Sequence, residues 1–239
     1  MRGPSKSSPQ ETELLFGHEF QIENTKKKWV YGQAVSPLSQ DVEGYQGWMR
    51  RDELSEDFAP RTHHISALKA PVFKSADIKS RVKRVLPLGA QISAASASDR
   101  FCELASGGFT HLNHLLPLGR YIPKDFTAIA EAHLGLPYIW GGVSSDGLDC
   151  SGLVQSALRA AGRDCLRDAG QQEESLGSFM DTGTKLRRGD LIFWPGHVGI
   201  MHDPKTLLHA NAFHMKVALE PLETAIARIG APRSIKRLE

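Results

Sequence analysis

The chain changes character once, at Pro123. Before that point no stretch keeps a helical period. Apolar and aromatic runs come in short pieces, broken by Gly, Pro or charged residues, which is the pattern of antiparallel strands. After it, apolar residues recur first at helical spacing and then alternate. One packed layer cannot serve both patterns. The reading is therefore α+β, with all-β modules in front of a unit of helices packed on an antiparallel sheet.

The front part repeats itself weakly, with a period of about 50 residues. An apolar pair followed by Gly occurs in "LLFGHEF" and in "VLPLGAQI". A strand with a large aromatic follows in each case, "WVYGQ" and "FCELAS", and then a Gly-aromatic turn, "GYQGWMRRDEL" and "GGFTHLNHL". These are two small β-barrels in tandem. Residues 1–58 and 59–118 are assigned to them and residues 119–239 to the third unit.

Composition limits what such a chain can do. Its 239 residues are 41% hydrophobic and 23% charged, an ordinary globular balance. A net charge of +2 is too small to argue for nucleic acid or an acidic membrane surface as a partner. No apolar run approaches the ~18 residues needed to span a bilayer. The opening "MRGPSKSSPQ" is polar and not of the signal-peptide type, so a cytoplasmic monomer is expected, or a periplasmic or extracellular one if a leader precedes it. The three cysteines, Cys102, Cys150 and Cys165, cannot all pair with one another, so at least one thiol is free.

In the third unit, "KDFTAIAEAHLG" sets Phe126, Ile129, Ala130 and Leu134 on one helical face, stopped by Gly135. "CSGLVQSALRAAG" sets Leu153, Val154, Ala157, Leu158 and Ala161 on another, stopped by Gly162. The segments "DLIFW", "HVGIM", "TLLHANA" and "KVALEPL" then read as strands. Asp149 is a good N-cap, which puts Cys150 in the first turn of its helix. The positive end of the helix dipole and a nearby imidazolium would favour a thiolate there. The bland alternative is a small buried residue, the commonest fate of a free cysteine.

A thiol nucleophile needs a base, and the strands offer His197, His202, His209 and His214. Alternation puts His197, Gly199 and Met201 on one strand face and His202 on the other. His209 lies inside an apolar strand, where a polar ring needs a partner, and it is suited to hold the far nitrogen of His197. His202 with His214 is the rival pair. Zinc is a further alternative, but no Cys-x-x-Cys or His-x-x-x-His spacing occurs among these residues.

"YIWGG", "DGLDCSGL", "GDLIFWPGHVGI" and "LLHANA", in this order, resemble the motifs of NlpC/P60 cysteine peptidases, a papain-like fold, over roughly residues 119–239. The two front modules resemble bacterial SH3-like domains. The resemblance implies Cys150 as nucleophile, His197 as general base and His209 as its orienting partner. It implies Tyr138 near the thiol and Asp149 and Ser151 in substrate binding. Arg167, Asp168 and Gln171 of "LRDAGQQ" are weaker candidates on the cleft wall. It further implies a peptidoglycan-derived peptide as substrate, cleavage between γ-D-glutamate and a diamino acid, and no metal or organic cofactor. An amidase or acyltransferase of the same fold, or a non-catalytic wall-binding protein, are the rival functions. A first barrel docked at one end of the groove would receive a free amino terminus through acidic and aromatic groups, for which Trp29, Tyr31, Asp41, Glu43, Tyr45 and Trp48 are the candidates.

Overall fold

The computed structural model describes residues 1–35, 44–56, 59–98, 100–181 and 183–238. Asp41 and Glu43 lie outside the described residues. The chain divides into two compact units, Met1–Ile122 and Pro123–Glu239.

The first unit is all β. Strands β1 (Phe20–Lys26), β2 (Trp29–Ala34) and β3 (Tyr45–Arg50) form a three-stranded antiparallel meander. Its core is thin: Val30 is buried, while nearly all of β1 is exposed. Eight more strands follow: β4 (His63–Ile65), β5 (Lys69–Phe73), β6 (Val82–Pro87), β7 (Gln91–Ile92), β8 (Ala94–Ala97), β9 (Phe101–Leu104), β10 (Phe109–His111) and β11 (Leu115–Pro117). They make a sheet of order β6-β5-β10-β9-β8 and a smaller one of order β11-β4-β7. Ile65, Ala70, Val72, Leu86, Ala90, Ile92, Cys102, Leu104 and Leu115 form one core between them. The segment Phe16–His18 of "LLFGHEF" precedes β1 and is not a strand. It lies along the second set of strands, where Phe16 accepts from the Gln91 N–H and His18 Nε2 meets Gly89 O at 3.0 Å.

The second unit runs α1 (Phe126–Glu131), β12 (Val143–Ser144), β13 (Gly147–Leu148), α2 (Cys150–Ala160), α3 (Ala169–Ser175), β14 (Ser178–Phe179), β15 (Leu191–Trp194), β16 (His197–Met201), β17 (Thr206–Asn211), β18 (Lys216–Pro221), α4 (Leu222–Ile229) and β19 (Ser234–Arg237). Six of these strands form one sheet of order β14-β19-β15-β16-β17-β18. Helix α1 stops sooner than its apolar spacing suggests. Asp125 caps it through the Ala128 N–H, but it ends at Glu131, and Leu134 is exposed rather than on the buried face. Helix α2 buries Leu153, Val154, Ala157 and Leu158 as its period requires and packs against β16 and β17. Helix α4 places Ala225 in a cluster with Ile192, Trp194, Met201 and Leu207. No described helix is long and apolar enough to cross a membrane.

Two glycines of the quoted motifs have a steric reason. A Cβ on Gly152 would come 2.1 Å from the carbonyl oxygen of Gly142, and one on Gly142 would come 2.3 Å from that of Gly147. Helix α2 thus starts in backbone contact with the Gly141–Gly142 loop. Gly152→Ala is expected to force the two apart and cost about 1–3 kcal/mol, as overpacking does. Denaturant unfolding of the variant checks this; an unchanged midpoint would contradict it.

Candidate active site

Asp149 caps α2 by accepting from the Gly152 N–H at 2.7 Å, which leaves Cys150 as the first residue of the helix. Its sulfur is 4.0 Å from the carbonyl oxygen of Gly196, and the N–H groups of Val198 and Ser151 are directed at it. The thiol is therefore seated against the two residues that flank His197. All three cysteines are free and buried, Cys102 in the core of the first unit.

His197 opens β16 and His209 sits in the middle of β17. Their rings meet through Nε2 of His197 and Nδ1 of His209 at 2.8 Å. This leaves Nδ1 as the ring nitrogen of His197 that His209 does not engage. His209 is fully buried, and Glu220 Oε1 of β18 lies 2.8 Å from its Nε2. Glu220 is in turn hydrogen-bonded by Arg228 of α4. Sequence reasoning missed Glu220 and Arg228. No sequence pattern marks them: in β18 the charged Glu220 is buried while Leu219 is exposed, the reverse of what their polarity suggests.

The rival pair is separated by its own partners. His202 Nδ1 meets Glu131 Oε1 at 2.8 Å beside Arg188, and His214 Nδ1 meets Asn211 Oδ1 at 3.0 Å. His209, His214 and Glu220 have ligand-type atoms within 4.8 Å of one another. The Arg228 guanidinium already occupies the Glu220 carboxylate and would repel a metal cation there.

Burial dominates the protonation of the site. It pushes the Cys150 thiol up to about 11, with the Asp149 carboxylate adding to the rise, while the N–H groups of Val198 and Ser151 and the Arg167 charge oppose it. For this thiol, burial outweighs the N–H groups at the helix start. Burial and the Arg228 charge lower His197 to about 4. Burial, with His197, Arg228 and His214, lowers His209 to about 3. Tyr138 is raised to about 12 by burial first, then by Cys150 and Asp149, so its hydroxyl keeps its proton beside the thiol.

Asp149, Ser151 and Arg167 are brought together as one buried cluster. Arg167 Nη2 meets Asp149 Oδ2 at 2.6 Å, and its Nη1 meets Asp149 Oδ1 at 3.0 Å and Ser151 Oγ at 2.9 Å. The Gly141 N–H adds a bond to Asp149 Oδ2 at 2.9 Å. These contacts turn the three side chains inward and lock the α2 start to the Gly141–Gly142 loop. Asp168 and Gln171 lie at the start of α3, where Gln171 Oε1 accepts from the Asp168 N–H at 3.1 Å.

The NlpC/P60 family model matches residues 135–228, which span thiol, both histidines and Glu220. The C-terminal unit belongs to the NlpC/P60 family. A model described as a bacterial dipeptidyl-peptidase SH3 domain matches residues 1–54 of the first unit. The crystal structure of an NlpC/P60 family protein from Bacillus cereus is similar over 95% of this chain and 81% of its own, with a TM-score of 0.79 at 25% identity. A gamma-D-glutamyl-L-lysine dipeptidyl-peptidase of Bacillus subtilis is 29% identical over 82% of this chain and 73% of its own. One of the same name from Bacillus cereus is 27% identical over 90% and 71%. The NlpC/P60 unit with an SH3-like domain before it makes this chain a peptidase of the cell-wall type.

Two outcomes follow from the site. Both buried histidines have folded values below the unfolded one of about 6.5, so the unfolded chain binds more protons below that pH. Stability should be full above about pH 6.5 and fall as the pH drops through 6.5 towards about 4 and 3. Urea unfolding at pH 7 and pH 5 tests this, and His197→Ala should flatten the dependence. Separately, Arg167→Ala should destabilise by about 3–5 kcal/mol, because it leaves the buried Asp149 charge unpaired. Asp168→Ala, which removes the N-cap of α3, should cost only about 1 kcal/mol by the same measurement.

Proposed function

We propose that the protein is a cysteine peptidase that cuts the γ-D-glutamyl–diamino acid bond of peptidoglycan-derived peptides and releases the N-terminal L-Ala-γ-D-Glu dipeptide. The observation that carries the reading is the contact of the Cys150 thiol with the residues flanking His197, combined with the 2.8 Å bond from His197 to His209. The bond cleaved and the dipeptidyl mode are supported by the names of the Bacillus relatives.

In this mechanism His197 takes the thiol proton on Nδ1 and the thiolate attacks the γ-glutamyl carbonyl carbon. The carbonyl oxygen becomes an oxyanion, which the protonated Tyr138 hydroxyl and the N–H groups at the start of α2 stabilise. The C–N bond then breaks, and the diamino acid leaves with the proton from His197. Water, deprotonated by the same nitrogen, hydrolyses the thioester and restores the thiol. His209 keeps the second nitrogen of His197 occupied throughout. Asp149, Ser151 and Arg167, turned inward, serve the substrate side by fixing the α2 start, and the exposed Asp168 and Gln171 at the start of α3 are the candidates for direct substrate contact.

The test compares free L-Ala-γ-D-Glu-diamino acid tripeptide with its N-acetylated form, with products read by mass spectrometry. The free peptide should yield the dipeptide. Blocking the amine should slow cleavage at least about 30-fold, the equivalent of ~2 kcal/mol for a buried ammonium without its partner. Cys150→Ala should fold normally and release no product. Hydrolysis by that variant would overturn the mechanism, and equal rates on both peptides would overturn the dipeptidyl reading.

A further inference from the structure

His197 can act as a base only with its lone pair on Nδ1, so its proton must sit on Nε2. That N–H faces Nδ1 of His209 at 2.8 Å. His209 Nδ1 must then be bare, and the proton of His209 must sit on Nε2. An imidazole free in solution populates both arrangements, so something has to select this one. Glu220 Oε1 lies 2.8 Å from that Nε2. The carboxylate is off the line of a straight N–H bond, so charge rather than alignment supplies the attraction. A bare ring nitrogen against a carboxylate would repel it. We propose that Glu220 is a positioning residue: it keeps the proton of His209 on Nε2 and so holds His197 in the tautomer that can accept the thiol proton, with Arg228 anchoring the carboxylate.

The surroundings fit this role. Glu220 is only 6% exposed. Arg228 reaches it from α4, and its guanidinium also lies 4.4 Å from the centre of the Phe213 ring. Arg228 offsets the carboxylate charge, so Glu220 orients His209 without converting it to an imidazolium. The other charged or titratable groups around His209 are His197 on β16 and His214 after β17. His214 turns Nδ1 to Asn211.

The inference rests on His197 being the base, so the test uses readouts that need no substrate. These are the rate of iodoacetamide alkylation of Cys150 and the ¹⁵N shifts of the His209 ring, which distinguish a protonated from a bare nitrogen. The principal variant is the double substitution Glu220→Met with Arg228→Met, which replaces an ion pair by apolar groups of similar volume and preserves folding. It should slow alkylation about 10- to 100-fold, the worth of one interaction with a charged group, and mix the two ring forms of His209. On the tripeptide, kcat should fall by a similar factor while KM stays within about twofold. Glu220→Asp, which keeps the negative charge facing Nε2–H, should recover part of the loss. A folded double variant with wild-type alkylation rate and unchanged ring shifts would overturn the proposal. Glu220-dependent alkylation in a protein that leaves the tripeptide intact would uphold it and remove the substrate reading instead.

Discussion

The guanidinium of Arg167 and the carboxylate of Asp149 meet inside the second unit, each about 95% removed from solvent. Neither charge could stay there alone, since an unpaired buried ion costs several kcal/mol. Paired, they fix the backbone. Asp149 receives N–H bonds from Gly152 in the helix and from Gly141 in the preceding loop, while Arg167 brings the chain after α2 back onto its first turn. The position of the thiol follows from this clamp, because Cys150 is the residue between its capping aspartate and Ser151.

A second polar array meets the thiol from the sheet. His197, His209, Glu220 and Arg228 come from four successive elements, β16, β17, β18 and α4. Burial lowers both rings and raises the thiol, so desolvation favours the neutral form of each. In a low-dielectric site the direction in which each ring presents its proton matters as much as its pKa, and a buried carboxylate is a strong way to set that direction.

Much of this was legible in the residues. The four motifs contain Cys150, its capping aspartate and both histidines, and strand alternation placed His197 apart from His202. The glycines of "YIWGG" and "DCSG" belong to the same signal, because backbone contact between Gly142 and Gly152 excludes a side chain. Other parts were hidden. Strands β4 and β5 include His, Lys and Pro and lack a long apolar run, and α3, α4 and β19 are short. The residues proposed to bind substrate at the α2 start spend their hydrogen bonds on one another, which no spacing rule reveals.

Local periods decided the elements near the site: a capped helix beginning at Cys150, and apolar strands bearing His197 and His209. These depend on neighbours within a few residues, so a single chain displays them. Only the tertiary structure decided that Arg167 closes on Asp149, 18 positions away, and that Glu220 points inward where Leu219 points out. Both outcomes turn on strand register and on which charge finds a partner once water is gone. That balance is struck between elements far apart in the chain, and no run of adjacent residues encodes it.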